Sequence, residues 1–134
     1  MRAKIPTCLA AACLTLALAA PAEATQSISC TDMKGDSGVD ILLGAGPVPN
    51  VLSLSISVAG RLFTTQPGQP GEPVVIAQSY DDGEVFRIDL MDDQVTKRVA
   101  AIRLLRANHE SDPLQIGFLQ IEEEPPVGIS CVGP

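Results

Sequence analysis

The chain reads as an all-β protein, a small antiparallel β-barrel or sandwich of about eight or nine short strands with its ends tied by one disulfide. Three observations predict this. Between Val51 and Val58, Leu52, Leu54, Ile56 and Val58 alternate with Ser53, Ser55 and Ser57, and a period of two sorts the branched and hydroxyl side chains onto opposite faces of an extended strand. Asp81-Asp82-Gly83 separates two further alternating runs, and an Asp-Gly pair in that setting marks a hairpin. Two cysteines, Cys30 and Cys131, stand near the two ends of the chain that remains once an amino-terminal leader is removed.

Residues 1–24 have the layout of a secretory signal peptide. Arg2 and Lys4 form a charged start, Cys8 to Ala20 is an apolar run rich in Ala and Leu, and Ala22-Glu23-Ala24 offers the small residues signal peptidase requires. The run is too short for a membrane span and is ended by Pro21 and Glu23. Cleavage after Ala24 leaves a single exported β domain, 25–134, in the periplasm or the medium, with no stable membrane insertion expected. A domain of that size holds one core.

The full chain carries 9 Lys and Arg against 16 Asp and Glu. Losing Arg2, Lys4 and Glu23 with the leader takes the mature charge from −7 to −8. A field of that sign repels nucleic acid and anionic membrane surfaces. It favours cationic partners, and it also keeps a small exported protein in solution.

An even pair of cysteines in a small exported domain reads as a disulfide. Closing a loop of about 100 residues stabilises the fold by roughly 4 to 5 kcal/mol in the chain-entropy picture. Neither cysteine lies in a C-x-x-C or beside a group of histidines, so the pair gives no support to a metal or redox site.

Ser27 to Asp32 is expected as the first strand, with Lys34 to Gly38 a turn. Val39, Ile41 and Leu43 alternate on a second strand that stops at Gly44, Val51 to Val58 is the third, and Ala59-Gly60 reverses the chain into Arg61 to Thr65. Gln66 to Pro73 holds two Pro-Gly turns and nothing to bury, so it is an exposed loop. Val74 to Tyr80 and Glu84 to Met91 are the arms of the hairpin. In the second arm Phe86, Ile88 and Leu90 point one way while Val85, Arg87 and Asp89 point the other.

The stretch Gln94 to Asn108 is ambiguous. Val95, Val99 and Ile102 fit a helical stripe that Asp92 or Asp93 would cap, while Ala100, Ile102 and Leu104 fit a strand from Arg98 to Arg106. The strand is preferred because both neighbours are strands and such connections are local. Asn108 to Pro113 is a polar turn. Leu114 to Ile121 is the next strand, with Leu114, Ile116 and Phe118 on one side and Leu119 and Ile121 on the other. Glu122 to Pro126 is a charged connection, and Val127, Ile129 and Cys131 close the chain beside the first strand.

His109 is the only histidine and sits in a polar turn, without the companion ligands that zinc needs. The turns rich in Asp and Glu lack the D-x-D-x-D-G order of a dedicated calcium loop. No cofactor is implied. Gly35-Asp36-Ser37-Gly38 resembles the nucleophile segment of chymotrypsin-like serine proteases, but the histidine and aspartate of that family should precede the serine, and here His109 follows it. Tyr80, Asp81, Asp82 and Glu84 form the most prominent hairpin tip, an acidic projection beside an aromatic ring that suits a basic cleft or packs at a barrel rim.

The layout of leader, compact antiparallel barrel and terminal disulfide resembles the periplasmic inhibitors of C-type lysozyme. The resemblance implies an inhibitor of a basic hydrolase, although Ser79-Tyr80 lacks the spacing and glycine of that family's Ser-Gly-x-x-Tyr loop. The residues themselves point first to a non-catalytic exported binding or interaction module that contacts a protein or an envelope component.

Overall fold

The computed structural model describes residues 25–46, 48–107 and 114–133. The predicted signal segment, Pro47, the predicted turn at 108–113 with His109, and the last residue lie outside them. Nine strands run β1 Gln26–Asp32, β2 Ser37–Gly44, β3 Asn50–Val58, β4 Arg61–Thr64, β5 Glu72–Asp81, β6 Val85–Asp92, β7 Arg98–Ala107, β8 Leu114–Ile121 and β9 Val127–Val132. They close into a barrel in chain order, each strand beside its sequence neighbours and β9 back against β1. Among the described residues no helix is long and apolar enough to cross a membrane.

The barrel forms because nearly every strand offers one apolar face. Ile28 and Cys30, Ile41, Leu54 and Ile56, Phe63, Phe86 and Ile88, Ile102 and Leu104, Leu119, and Ile129 are all buried in one hydrophobic cluster. A closed sheet of this strand number has an interior just wide enough for side chains to fill. Each fully buried Leu, Ile or Phe stabilises the fold by about 1.5 to 3 kcal/mol relative to exposure. The two largest fully buried side chains, Phe63 and Phe86, come from β4 and β6.

The seam is the β1–β9 ladder, in which Cys30 faces Cys131 directly. Their alpha carbons are 3.9 Å apart and their sulfurs are bonded. The first and last strands are therefore neighbours, as the cysteine positions predict.

Three details depart from the sequence reading. Ser37 and Gly38 belong to β2, pairing with Val58 and Ser57, where a turn was expected. The Gln66 to Pro73 loop gives up Glu72 and Pro73 to β5, which runs parallel to β4 through Phe63↔Glu72 and Thr64↔Pro73. Every other pairing is antiparallel. The parallel step needs the chain to double back, and it does so through a Pro67-Gly68 turn in which the Gln69 N–H donates to the Gln66 carbonyl at 3.4 Å and Gly68 adopts φ 78°.

Leu52 does not share the inner face of Leu54, Ile56 and Val58. A register shift opposite Leu42 and Leu43 inserts it as an extra residue, so it is 49% exposed while Val51 packs against the core. A bulge of this kind reverses the side-chain phase beyond it. The ambiguous segment is strand β7, with Ala100, Ile102 and Leu104 buried. Val95 lies in the preceding turn with φ 56° and is 60% exposed, so the helical stripe does not form. Asp92 does cap, but it caps that turn: its Oδ1 accepts the N–H groups of Thr96 at 2.6 Å and Lys97 at 3.0 Å.

Because the bond spans 101 residues of sequence, replacing both Cys30 and Cys131 by Ala should lower the unfolding free energy by roughly 4 kcal/mol. Urea titration of the oxidised parent against the double variant measures it.

Candidate functional site

The strand directions place the start of β1, the ends of β2 and β9 and the β5–β6 hairpin at one mouth of the barrel. The turns at 33–36, 59–60, 93–97 and 122–126 lie at the other.

The hairpin tip is built by a second bulge. Ile76 pairs with Leu90 but Gln78 pairs with Asp89, which leaves Ala77 as an extra residue. Beyond it the phase flips, so Tyr80 opposite Arg87 faces out and Asp81 opposite Phe86 faces the mouth. The four predicted tip residues therefore divide. Tyr80 is 52% exposed, and its hydroxyl donates to Asp82 Oδ2 at 3.1 Å. Asp82 Oδ1 accepts the N–H of Val85 at 2.7 Å and that of Glu84 at 3.0 Å. These backbone N–H groups, Val85's first, hold the Asp82 carboxyl below the usual aspartate range, and the hydrogen bond to Asp82 pushes the Tyr80 phenol up. Glu84 remains exposed.

Asp81 is not part of the projection. Its Oδ2 accepts from Arg106 Nη1 at 2.6 Å, and the Arg106 guanidinium also donates through Nε to Gln115 Oε1 at 3.1 Å. Arg106 lies over the Phe86 ring, 4.8 Å from its centroid, and Gln115 Nε2 donates to the Gly133 carbonyl at 3.0 Å. The mouth is thus closed by a polar network that joins β5, β7, β8 and the carboxyl-terminal end. Sequence reasoning missed Arg106 and Gln115. The signal was parity: Arg106 continues the Ile102 and Leu104 face, and Gln115 continues the face of Leu119 and Ile121.

The outer wall of β7 to β9 holds the other feature. Leu119 and Ile121 face in with Gln115, so Leu114, Ile116 and Phe118 face out, 54%, 45% and 39% exposed. Leu105, 61% exposed, pairs with Ile116, and Val85 pairs with Leu105. The register that joins Gln115 to Cys131 sets Val132, 75% exposed, beside Leu114. Phe118 pairs with Arg103, which in turn pairs with Arg87. Val85, Arg87, Arg103, Leu105, Gly117 and Phe118 surround a depression of 370 Å³. Gly117 is required at its base, since a Cβ there would lie 1.8 Å from the Arg103 carbonyl oxygen.

Ser37 is 6% exposed on the inner side of β2, and Asp32 Oδ1 accepts the N–H groups of Asp36 at 2.8 Å and Ser37 at 3.3 Å. At the far mouth Arg61 pairs with Glu72 at 3.1 Å and approaches Glu122, which Lys97 also meets at 3.3 Å. Among the described residues no group of three or more His, Cys, Asp or Glu is placed to hold a metal ion.

No family model, curated protein or solved structure matches the chain.

Two measurements check the mouth. Replacing Asp81 by Ala leaves the largely buried Arg106 guanidinium without its carboxylate and should cost about 1 to 3 kcal/mol by urea titration. For Asp82 the folded carboxyl is more acidic than the unfolded one. Its contribution is therefore present above the ordinary aspartate range and lost as pH falls through the lower folded value. An NMR titration should place its midpoint below that of an unstructured aspartate, with the Glu84 and Val85 amides shifting in step.

Proposed function

We propose that the protein is an exported, non-catalytic binding module that contacts a protein partner, with an envelope component as the broader class, through the outer wall of β7 to β9. One observation supports it above others. Leu105, Leu114, Ile116, Phe118 and Val132 form a continuous exposed apolar surface on a sheet whose buried side is already filled. A half-buried antiparallel sheet ordinarily turns polar residues to water. Contiguous exposed apolar surface marks an interaction site more often than chance placement does.

The non-catalytic reading draws on how the reactive groups are used. Ser37 is buried, Asp82 and Asp92 cap turns, and Asp81 neutralises Arg106. No nucleophile beside a base emerges from these groups, which is where a catalytic site would begin.

A second reading, an inhibitor of a basic hydrolase such as a C-type lysozyme, draws on the mouth. Asp81, Asp82, Asn50 and Gln26 border a cleft of 350 Å³ between the hairpin and Gly44, Gly46, Val48 and Pro49. Charge-steered inhibition weakens with salt, and unchanged lysis at a large excess of the protein would remove this reading.

The first reading is tested by placing p-benzoylphenylalanine at Ile116 and, separately, at Ser55 on the opposite wall, then irradiating cells that export the protein. A discrete adduct from position 116 and none from 55 is expected. Adducts from both positions alike, or none from 116, would contradict the reading.

A further inference from the structure

The depression on the outer wall is apolar on one side and cationic on the other, which restricts what can sit in it. Phe118, Leu105 and Val85 supply the apolar walls over the bare backbone of Gly117. Arg103 is fixed at the rim, donating to the Ile88 and Ile102 carbonyls at 2.9 and 2.8 Å and to Asp89 at 2.7 Å. Arg87 is different. It forms no ion pair among the described residues, and its guanidinium lies 6.0 Å from the centroid of the Tyr80 ring.

In a chain with a net charge of −7, carboxylates are plentiful; among the described cations Arg61, Lys97, Arg103 and Arg106 each pair with one, while Lys34, Arg87 and Arg98 do not. Of the three, Arg87 is the one that borders the apolar depression. A guanidinium next to an apolar hollow complements a ligand that presents an apolar side chain and a carboxylate together. Planar arginine suits a carboxylate because two parallel N–H groups can be shared.

We propose that this depression takes a peptide segment of a protein partner in which a large apolar side chain is followed or preceded closely by an acidic residue, the side chain filling the hollow and the carboxylate meeting Arg87. The proposal rests on the reading of the β7 to β9 wall as the interface. The overall negative charge opposes an acidic peptide at a distance. That opposition is screened beyond about 8 Å at physiological ionic strength, whereas the contact with Arg87 acts within hydrogen-bonding range. The contact therefore decides.

The experiment pans short random peptides displayed on phage against the mature, disulfide-bonded domain, and measures the enriched peptides by fluorescence anisotropy. Enriched sequences are expected to join an aromatic or large aliphatic residue to Asp or Glu within one or two positions. Exchanging that acid for its amide should weaken binding about tenfold, the scale of one charge-assisted hydrogen bond. Arg87→Glu should do at least as much, and Phe118→Ser should abolish binding, with far-ultraviolet circular dichroism verifying that both exposed-site variants keep the fold.

Peptides that need Phe118 but show no acidic preference would overturn the carboxylate assignment and leave the interface standing. No enrichment, or binding indifferent to Phe118→Ser, would overturn both. A dimer in sedimentation that Phe118→Ser dissolves would give the wall to a second copy of the chain and overturn the peptide proposal.

Discussion

Cys30 and Cys131 meet across the β1–β9 ladder, and that meeting makes a barrel of what would otherwise be a curled open sheet. Eight of the nine strand contacts join sequence neighbours, while the ninth joins strands 101 residues apart at the cysteines. Local pairings cost little loop entropy, and the closing one carries nearly the whole chain as its loop. It is also short, holding four residue pairs. An open seam would leave β1 and β9 each presenting an unpaired row of backbone groups to solvent. The disulfide therefore acts at the closing ladder, where the loop-entropy cost is greatest.

Closure decides what the outside can be. Once nine strands surround a shared interior, each inward position is committed to packing, and any binding surface has to come from outward positions or from the mouths. Two of the three register shifts among the described strands then change which residues those are. The extra residue at Leu52 turns that leucine outward, and the extra residue at Ala77 sends Tyr80 out and Asp81 in. The acidic hairpin is consequently less of a projecting charge than its sequence suggests, because Asp81 serves Arg106 and Asp82 holds the turn. The apolar wall of β7 to β9 owes nothing to a bulge. It follows from strand β8 carrying large apolar residues on both faces, only one of which a closed barrel can bury.

The strand framework was legible because alternation and turn residues are local signals. Val51 to Val58, Phe86 to Leu90 and the Asp-Gly hairpin all announced themselves within a few residues, and the terminal cysteines announced the seam. The bulges were not legible, since a one-residue shift depends on the partner strand and not on the strand itself. The parallel β4–β5 contact was hidden for the same reason, its short ladder being set by where the Gln66 to Gly71 loop returns the chain. For β8 the sequence separated the two faces correctly but not which was buried. Gln115 sharing a face with Leu119 and Ile121 misleads there, because that glutamine is buried through hydrogen bonds that only the mouth network supplies.

The site followed the same rule. Arg106 and Gln115 were visible as polar residues at inward parity, and the outer apolar wall became visible only when closure fixed which side faced water. Both features exist only if the seam is shut, so native-state hydrogen exchange of the oxidised protein tests the account most directly. The amides that β1 and β9 pair around Cys30 and Cys131 should be protected to the level of the best-protected amides of β6 and β7. Free exchange at the seam while β6 and β7 stay protected would show an open sheet and contradict the account.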